Sequence, residues 1–312
     1  MEMRRLGQFG PEISVVGYGA WEAGGEVWGD VPREHIMNAM EAAVDCGMNW
    51  FDTAEVYGQG QSERMVGSFL SGPRRDQVLV FTKVAPDGTG VRPDQIRKAI
   101  QGSLKRLRTD YVDLYQIHWP AHDVPVEDYW GAMAGLQDEG LTRFIGVSNF
   151  DRPLIERCLA IRHVDSVQNQ FSLLVQRDRG EFLPWLEERG IGYLAYGPLA
   201  YGLLTGAITK DTKFADDDWR SGKKWGVGYY ESLFVPGKFE RNVELVERLR
   251  PIADRLGVQL APLALRAAIE VKGVTGVIAG SRNQDHVRSN ASAGDLKLDE
   301  KTREEIDEIF GP

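Results

Sequence analysis

Asp52, Tyr57, Lys83 and His118 are the side chains whose types and spacing could do chemistry. Each closes or closely follows an apolar run readable as a β-strand: Asn49-Trp50-Phe51, Val78-Leu79-Val80-Phe81 and Val112-Asp113-Leu114-Tyr115-Gln116-Ile117. A free phenol titrates near pH ~10, too high for an efficient acid at neutrality, and an adjacent ammonium lowers that value by favouring the phenolate. Tyr57 is therefore the candidate proton donor to an oxygen that gains negative charge, with Lys83 as the group that tunes it. Asp52 would hold the Lys83 ammonium by a charge-assisted contact, and His118 would orient the same oxygen with a hydrogen bond. Taken singly, each has an ordinary structural reading as ion pair, rim aromatic or core imidazole. Their joint placement outweighs that reading, because Asp52, Lys83 and His118 stand 31 and 35 residues apart, about one strand–helix repeat.

The elements that would position them recur along the chain. Apolar runs suited to buried parallel strands fall at about 14–19, 48–52, 78–82, 112–117, 143–147, 164–168, 191–195 and 274–279. Helical periodicity fills the intervals at Pro32–Cys46, Ser62–Leu70, Pro93–Arg108, Val126–Glu139, Arg152–Ile161 and Asp178–Arg189, with Pro32, Pro93 and Pro153 placed as first-turn prolines. Eight strands alternating with helices predict an α/β fold, a (β/α)8 TIM barrel, as one domain over residues 1–312. Gly7 and Gly10-Pro11 break Met3–Ile13 into a hairpin expected to plug the barrel floor. About 80 residues separate the seventh and eighth runs, far more than one crossover needs. They are expected to hold an extra helix, interrupted at Pro251, and an aperiodic insertion at 208–238 that serves as a lid loop. A last amphipathic helix, Glu300–Phe310, is expected outside the barrel.

With 42% apolar and 27% charged residues, the chain can bury a large core. A net charge of −9 argues against nucleic acid, whose binding depends on clustered Lys and Arg displacing counterions. The only cysteines, Cys46 and Cys158, lie in helical stretches, which predicts no disulfide framework and a reducing, cytoplasmic setting. The opening residues lack the apolar segment of a secretory signal, and Gly192, Gly197, Pro198, Gly202 and Gly206 break the uncharged stretch Ile191–Thr209. No membrane association is expected, and the oligomeric state, monomer or homo-oligomer, stays open. His118 and His122 stand four apart, but Trp119-Pro120 argues against the helix that would make them metal ligands, so no metal is expected.

Five motifs occur in order: Phe51-Asp52-Thr53-Ala54-Glu55-Val56-Tyr57-Gly58, Thr82-Lys83, Gln116-Ile117-His118, Gly146-Val147-Ser148-Asn149-Phe150 and Ala279-Gly280-Ser281-Arg282. On these, from about Arg4 to Asn290, the chain resembles an aldo-keto reductase. The resemblance implies a barrel that binds a nicotinamide cofactor in extended form and reduces a carbonyl, with Asp52, Tyr57, Lys83 and His118 as the catalytic set. Relatives that reduce carbon–carbon double bonds carry Glu in place of His118, so the histidine points to carbonyls.

The same resemblance assigns Trp21 to the cofactor, Ser148, Asn149, Gln168 and Tyr196 to its nicotinamide, and Gly197, Pro198, Leu199 and Gly202 to its pyrophosphate. Amides and hydroxyls can fix the carboxamide, Tyr196 can stack on the ring, and a Gly-containing loop lets backbone N–H groups approach an anion. Gly280, Ser281 and Arg282 would meet an adenosine 2′-phosphate and Asn290 the adenine, which favours NADPH. His286 stands where relatives often have Gln or Arg and would hold phosphate less strongly, which leaves NADH possible. Trp21, Trp28, Trp119, Trp219 and Trp225 fall in loops at the catalytic end and are expected to line a site for an aldehyde, ketone or sugar. The expected activity is NADPH-dependent reduction of aldehydes or ketones to alcohols. Two alternatives are an NAD-linked aldose or alcohol dehydrogenase and a cofactor-bound regulatory subunit resembling the potassium-channel β subunits.

Overall fold

Eight short parallel strands close on themselves around the residues singled out above. The computed structural model describes residues 1–25, 32–216, 218–223 and 232–311. An antiparallel hairpin of β1 (Met3–Arg5) and β2 (Glu12–Ser14) precedes the barrel strands. These are β3 (Val16–Gly19), β4 (Trp50–Asp52), β5 (Leu79–Val84), β6 (Val112–Ile117), β7 (Thr142–Ser148), β8 (Ser166–Gln170), β9 (Gly192–Tyr196) and β10 (Gly276–Ala279). Each pairs with its sequence neighbour, and β10 closes the ring on β3 through Val277 opposite Val16 and Ala279 opposite Tyr18. With the helices that follow, this is the expected (β/α)8 barrel.

The hairpin closes the floor, as expected. Leu6 and Ile13 join Trp50, Phe81, Leu114 and Leu194 in a fully buried cluster at the amino-terminal ends of the strands. Trp50 fits there because Gly17 lacks a side chain: a Cβ on Gly17 would stand 2.1 Å from the indole. The indole nitrogen donates to the Ser14 carbonyl at 2.8 Å, so burial leaves no orphaned N–H.

Six helices wrap the first seven strands: α1 (Arg33–Asp45), α2 (Gln61–Phe69), α3 (Pro93–Leu107), α4 (Val126–Asp138), α5 (Arg152–Leu159) and α6 (Phe182–Glu188). Pro93 opens α3, and Asp151 caps α5 by accepting from the Leu154 N–H. The sixth helix starts four residues later than the sequence predicts. Asp178 is instead buried, accepting from Tyr193 Oη at 2.8 Å and Asn169 Nδ2 at 2.9 Å, which takes its segment out of the helix.

Beyond β9 come α7 (Lys238–Leu256) and α8 (Leu260–Glu270), then α9 (Gln284–Ser292) after β10 and finally α10 (Glu300–Phe310). Pro251 does not interrupt α7, contrary to expectation; the helix is continuous through it. Pro251 is on the exposed face, where the carbonyl it leaves without a donor is open to water. A second core outside the barrel holds Leu204, Ile208, Trp219, Phe234, Phe239 and Ile306, joining the insertion to α7, α8 and α10. Among the described residues no helix is long and apolar enough to cross a membrane.

Candidate active site

The register of the barrel brings the strand ends together. Asp52 ends β4, Lys83 lies near the end of β5, and His118 follows β6, its N–H donating to the Val84 carbonyl at 2.8 Å. Tyr57 is carried by the loop after β4, which packs on the loop after β3 so closely that a Cβ on Gly58 would stand 2.1 Å from the Gly24 carbonyl oxygen. Gly58 has φ +59°, a conformation glycine adopts without cost. That contact sets Tyr57 beside Trp21, with ring centroids 6.1 Å apart.

Lys83 is fully buried and Asp52 nearly so. Lys83 Nζ donates to Asp52 Oδ1 at 2.6 Å and to the Thr53 carbonyl at 2.8 Å, and it lies 5.3 Å from the centre of the Tyr57 ring. Burial lowers the Lys83 pKa from its ordinary value, and the Asp52 carboxylate opposes that shift. Asp52 Oδ2 accepts from Gln168 Nε2 at 2.9 Å, which fixes the carboxylate on both sides. Tyr57 Oη stands 3.4 Å from His118 Nε2. Burial first, and the Lys83 charge second, push the His118 pKa well below 6.5, so the imidazole is neutral at pH 7. Its Nδ1 is buried with no partner among the described residues, so we assign the proton to Nε2, leaving a bare acceptor rather than a bare N–H donor. Tyr57 and His118 thus offer two donors to one oxygen.

A cleft of about 1300 Å³ runs from these residues along the carboxyl ends of the strands. It is lined by every residue that the sequence assigns to a cofactor, from Trp21, Ser148, Asn149, Gln168 and Tyr196, past Gly197, Pro198, Leu199 and Gly202, to Gly280, Ser281, Arg282, His286 and Asn290. Asn149 is held in the left-handed region at φ 61°, which asparagine tolerates, and its side chain ties three strand ends together. Its Nδ2 donates to the His118 carbonyl at 2.9 Å, and its Oδ1 accepts from Tyr196 Oη at 2.7 Å. The chemistry of the walls fits a dinucleotide. The Asn290 side chain is 4% exposed and lines the cleft, yet none of its amide atoms is bonded among the described residues. Gln168 likewise has an amide oxygen that no described donor reaches. Asn283 caps α9 through the Asp285 and His286 N–H groups beside Ser281 and Arg282.

The tryptophans divide. Trp21 and Trp119 line the cleft at its catalytic end. Trp219 does not: it is 2% exposed, packed edge-on against Tyr201 at 5.0 Å and Phe234 at 5.5 Å in the second core. Among the described residues its neighbours are Tyr201 and the apolar side chains of the second core. Trp28 and Trp225 lie outside the described residues. Glu22 and Arg220, which the sequence reading passed over, also line the cleft. Glu22 adjoins Trp21 in the loop after β3, and that adjacency was the available signal.

Residues 15–310 match the pattern of the aldo/keto reductase family. The aldo-keto reductase YhdN of Bacillus subtilis is 32% identical over 318 aligned positions, covering 99% of this chain and 94% of that protein. The NADH-specific methylglyoxal reductase of Escherichia coli is 30% identical, covering 94% of this chain and 93% of its own. Among solved structures, the glycerol dehydrogenase of Gluconobacter oxydans superposes with a TM-score of 0.86 at 29% identity, over 98% of this chain and 94% of that one.

Proposed function

The chain belongs to the aldo/keto reductase family, and on that footing we propose that it is an NADPH-dependent reductase of aldehydes or ketones with Tyr57 as the proton donor. The observation that carries the reading is the pairing of Tyr57 Oη with His118 Nε2 beside a buried Lys83–Asp52 ion pair, at the head of the cleft. A bound nicotinamide supplies the hydride for the carbonyl carbon. Tyr57 then gives its phenolic proton to the carbonyl oxygen, the nearby Lys83 ammonium stabilises the phenolate left behind, and Asp52 keeps that ammonium charged and aimed. The neutral His118 orients the oxygen through Nε2–H and does not compete as the acid.

Ser148, Asn149 and Gln168 would hold the carboxamide, Tyr196 the ring, the 197–202 loop the pyrophosphate, Ser281 and Arg282 a 2′-phosphate, and Asn290 the adenine. Trp21 and Trp119 would flank the carbonyl substrate. The 208–238 segment, whose Arg220 reaches the cleft, we read as its cover. We read the chain as a cytoplasmic enzyme of small-molecule carbonyls. Run in reverse, the same residues would oxidise an alcohol, the direction named for the glycerol dehydrogenase of similar fold.

Tyr57→Phe should lower turnover of an aldehyde panel by ~10²–10⁴ while nucleotide binding persists. Unchanged turnover would end the proton-donor reading. Arg282 predicts higher kcat/KM with NADPH than with NADH; equal values or a preference for NADH would overturn the cofactor assignment.

A further inference from the structure

Glu22 has no part in the scheme above, although it sits where the cofactor's phosphates would lie. It belongs to the short turn Trp21–Gly24 after β3, and its Oε2 stands 3.4 Å from Arg282 Nε, so the pair bridges the loops after β3 and β10. Both side chains are largely covered, at 24% and 28% exposure. Among the described residues the other charged groups facing Glu22 are His286 and Arg220, the latter also paired with Asp218 at 2.6 Å, and the buried Tyr18 phenol lies close by. A carboxylate surrounded by two guanidinium groups and an imidazole occupies the electrostatic place that a phosphate would take.

Resting on the cofactor reading of this cleft, we propose that Glu22 is an internal counter-anion that competes with the 2′-phosphate of the dinucleotide for Arg282, and that it takes up a proton from solvent when the phosphate displaces it. No bond other than the new O–H forms, and no electrons move. Burial already raises the Glu22 carboxyl above its ordinary pKa, with Arg282 as the main opposing influence. Once Arg282 turns to the phosphate, that opposition weakens while new negative charge arrives, and both changes favour the neutral acid. The complex then holds more protons than the free protein, so affinity for the phosphorylated dinucleotide falls as pH rises across the window between the two carboxyl pKa values. Glu22 thereby narrows the discrimination between NADP⁺ and NAD⁺ that Arg282 alone would give.

The test is binding rather than turnover. Calorimetric titration of the full chain with NADP⁺ and with NAD⁺, in buffers of different ionisation enthalpy, reads affinity and proton uptake together. Glu22→Gln should remove the carboxylate component of the uptake and tighten NADP⁺ by about tenfold, with a smaller gain for NAD⁺. Glu22→Ala, which adds no amide, should shift in the same direction, and Arg282→Ala should abolish the gain. Proton uptake that is undiminished in Glu22→Gln belongs to His286 or the phosphate itself and overturns the proposal. So does weaker NADP⁺ binding in Glu22→Gln, which would make Glu22 an anchor for Arg282. Failure of the wild-type chain to bind either dinucleotide would instead remove the cofactor reading on which the proposal stands.

Discussion

Replacing Asp52 by Asn keeps the shape of the site and removes one charge. Asp52 accepts from Lys83 Nζ at 2.6 Å and from Gln168 Nε2 at 2.9 Å, and Lys83 has no exposed surface. An Asn carboxamide offers one acceptor and one donor group, and Gln168 can turn its unbonded amide oxygen to that donor, so the Lys83 ammonium keeps an acceptor and loses the charge opposite it. The ammonium would then keep only neutral acceptors, the new carboxamide oxygen and the Thr53 carbonyl. Removing one partner of a buried ion pair costs about 3–5 kcal/mol. Proton chemistry sets a ceiling, because a lysine of pKa ~10.4 can be neutralised at pH 7 for about 4.6 kcal/mol. The variant should sit near that ceiling with Lys83 neutral when folded and charged when unfolded. Its unfolded state then binds one more proton, so its stability rises with pH by about 1.4 kcal/mol per unit. Over the range in which wild-type Lys83 stays charged in both states, this group gives the wild type no such slope. Guanidinium denaturation of both proteins should therefore show a deficit of about 4 kcal/mol at pH 7 that shrinks by about 2 kcal/mol by pH 8.5. A deficit that stays constant over this interval would refute the argument that Asp52 keeps Lys83 charged.

Three further outcomes follow from the same geometry. His118 titrates well below 6.5 when folded, so the unfolded chain alone takes up its proton as pH falls below about 6.5, and stability should drop by up to ~1.4 kcal/mol per unit. His118→Asn should lack that component in denaturation measured from pH 6.5 to 5; identical slopes would contradict the neutral, buried imidazole. Trp219→Ala should cost about 3–5 kcal/mol of stability with little change in KM, and Trp21→Ala the reverse. A KM effect at Trp219 as large as that at Trp21 would restore it as a pocket wall. Arg282→Ala should reduce kcat/KM with NADPH by roughly 10-fold or more and leave NADH nearly unchanged, and steady-state kinetics showing equal losses with both would place Arg282 elsewhere on the nucleotide.

The barrel was legible because its information is local and repeated. Each strand is a short apolar run followed by a turn, and the structure moves no strand boundary by more than two residues. The first apolar run reaches back to residue 14, whereas β3 begins at Val16, because the Ser14 backbone N–H is taken by Asn49 Oδ1 at 2.8 Å and Ser14 itself pairs in the hairpin. Asp178 and Pro251 failed for the opposite reason. A buried aspartate that satisfies Tyr193 and Asn169 overrides helical periodicity, and a proline on a solvent face leaves its orphaned carbonyl to water. The Asp178 partners lie nine and fifteen residues away, whereas the face of Pro251 is set by Val246, Leu249, Ile252 and Ala253 beside it.

The site divides along the same line. Asp52, Lys83 and His118 could be grouped because a parallel barrel brings the carboxyl ends of its strands to one face whatever the loops do, and Tyr57 rides five residues behind Asp52. Trp219 carried no such constraint. An aromatic in an aperiodic insertion can face a cleft or a core, and its choice depends on Phe234, with which it packs edge-on, and Phe239, which lies in the same core 20 residues away. Glu22 was harder still, since its surroundings are made by Arg282 and His286 more than 250 residues on and by Arg220 from the insertion. A carboxylate beside a tryptophan reads as an ordinary loop residue until those cations surround it. Strand-borne chemistry is thus fixed by topology, whereas the loop-borne residues that would tune cofactor choice become visible only when distant loops meet.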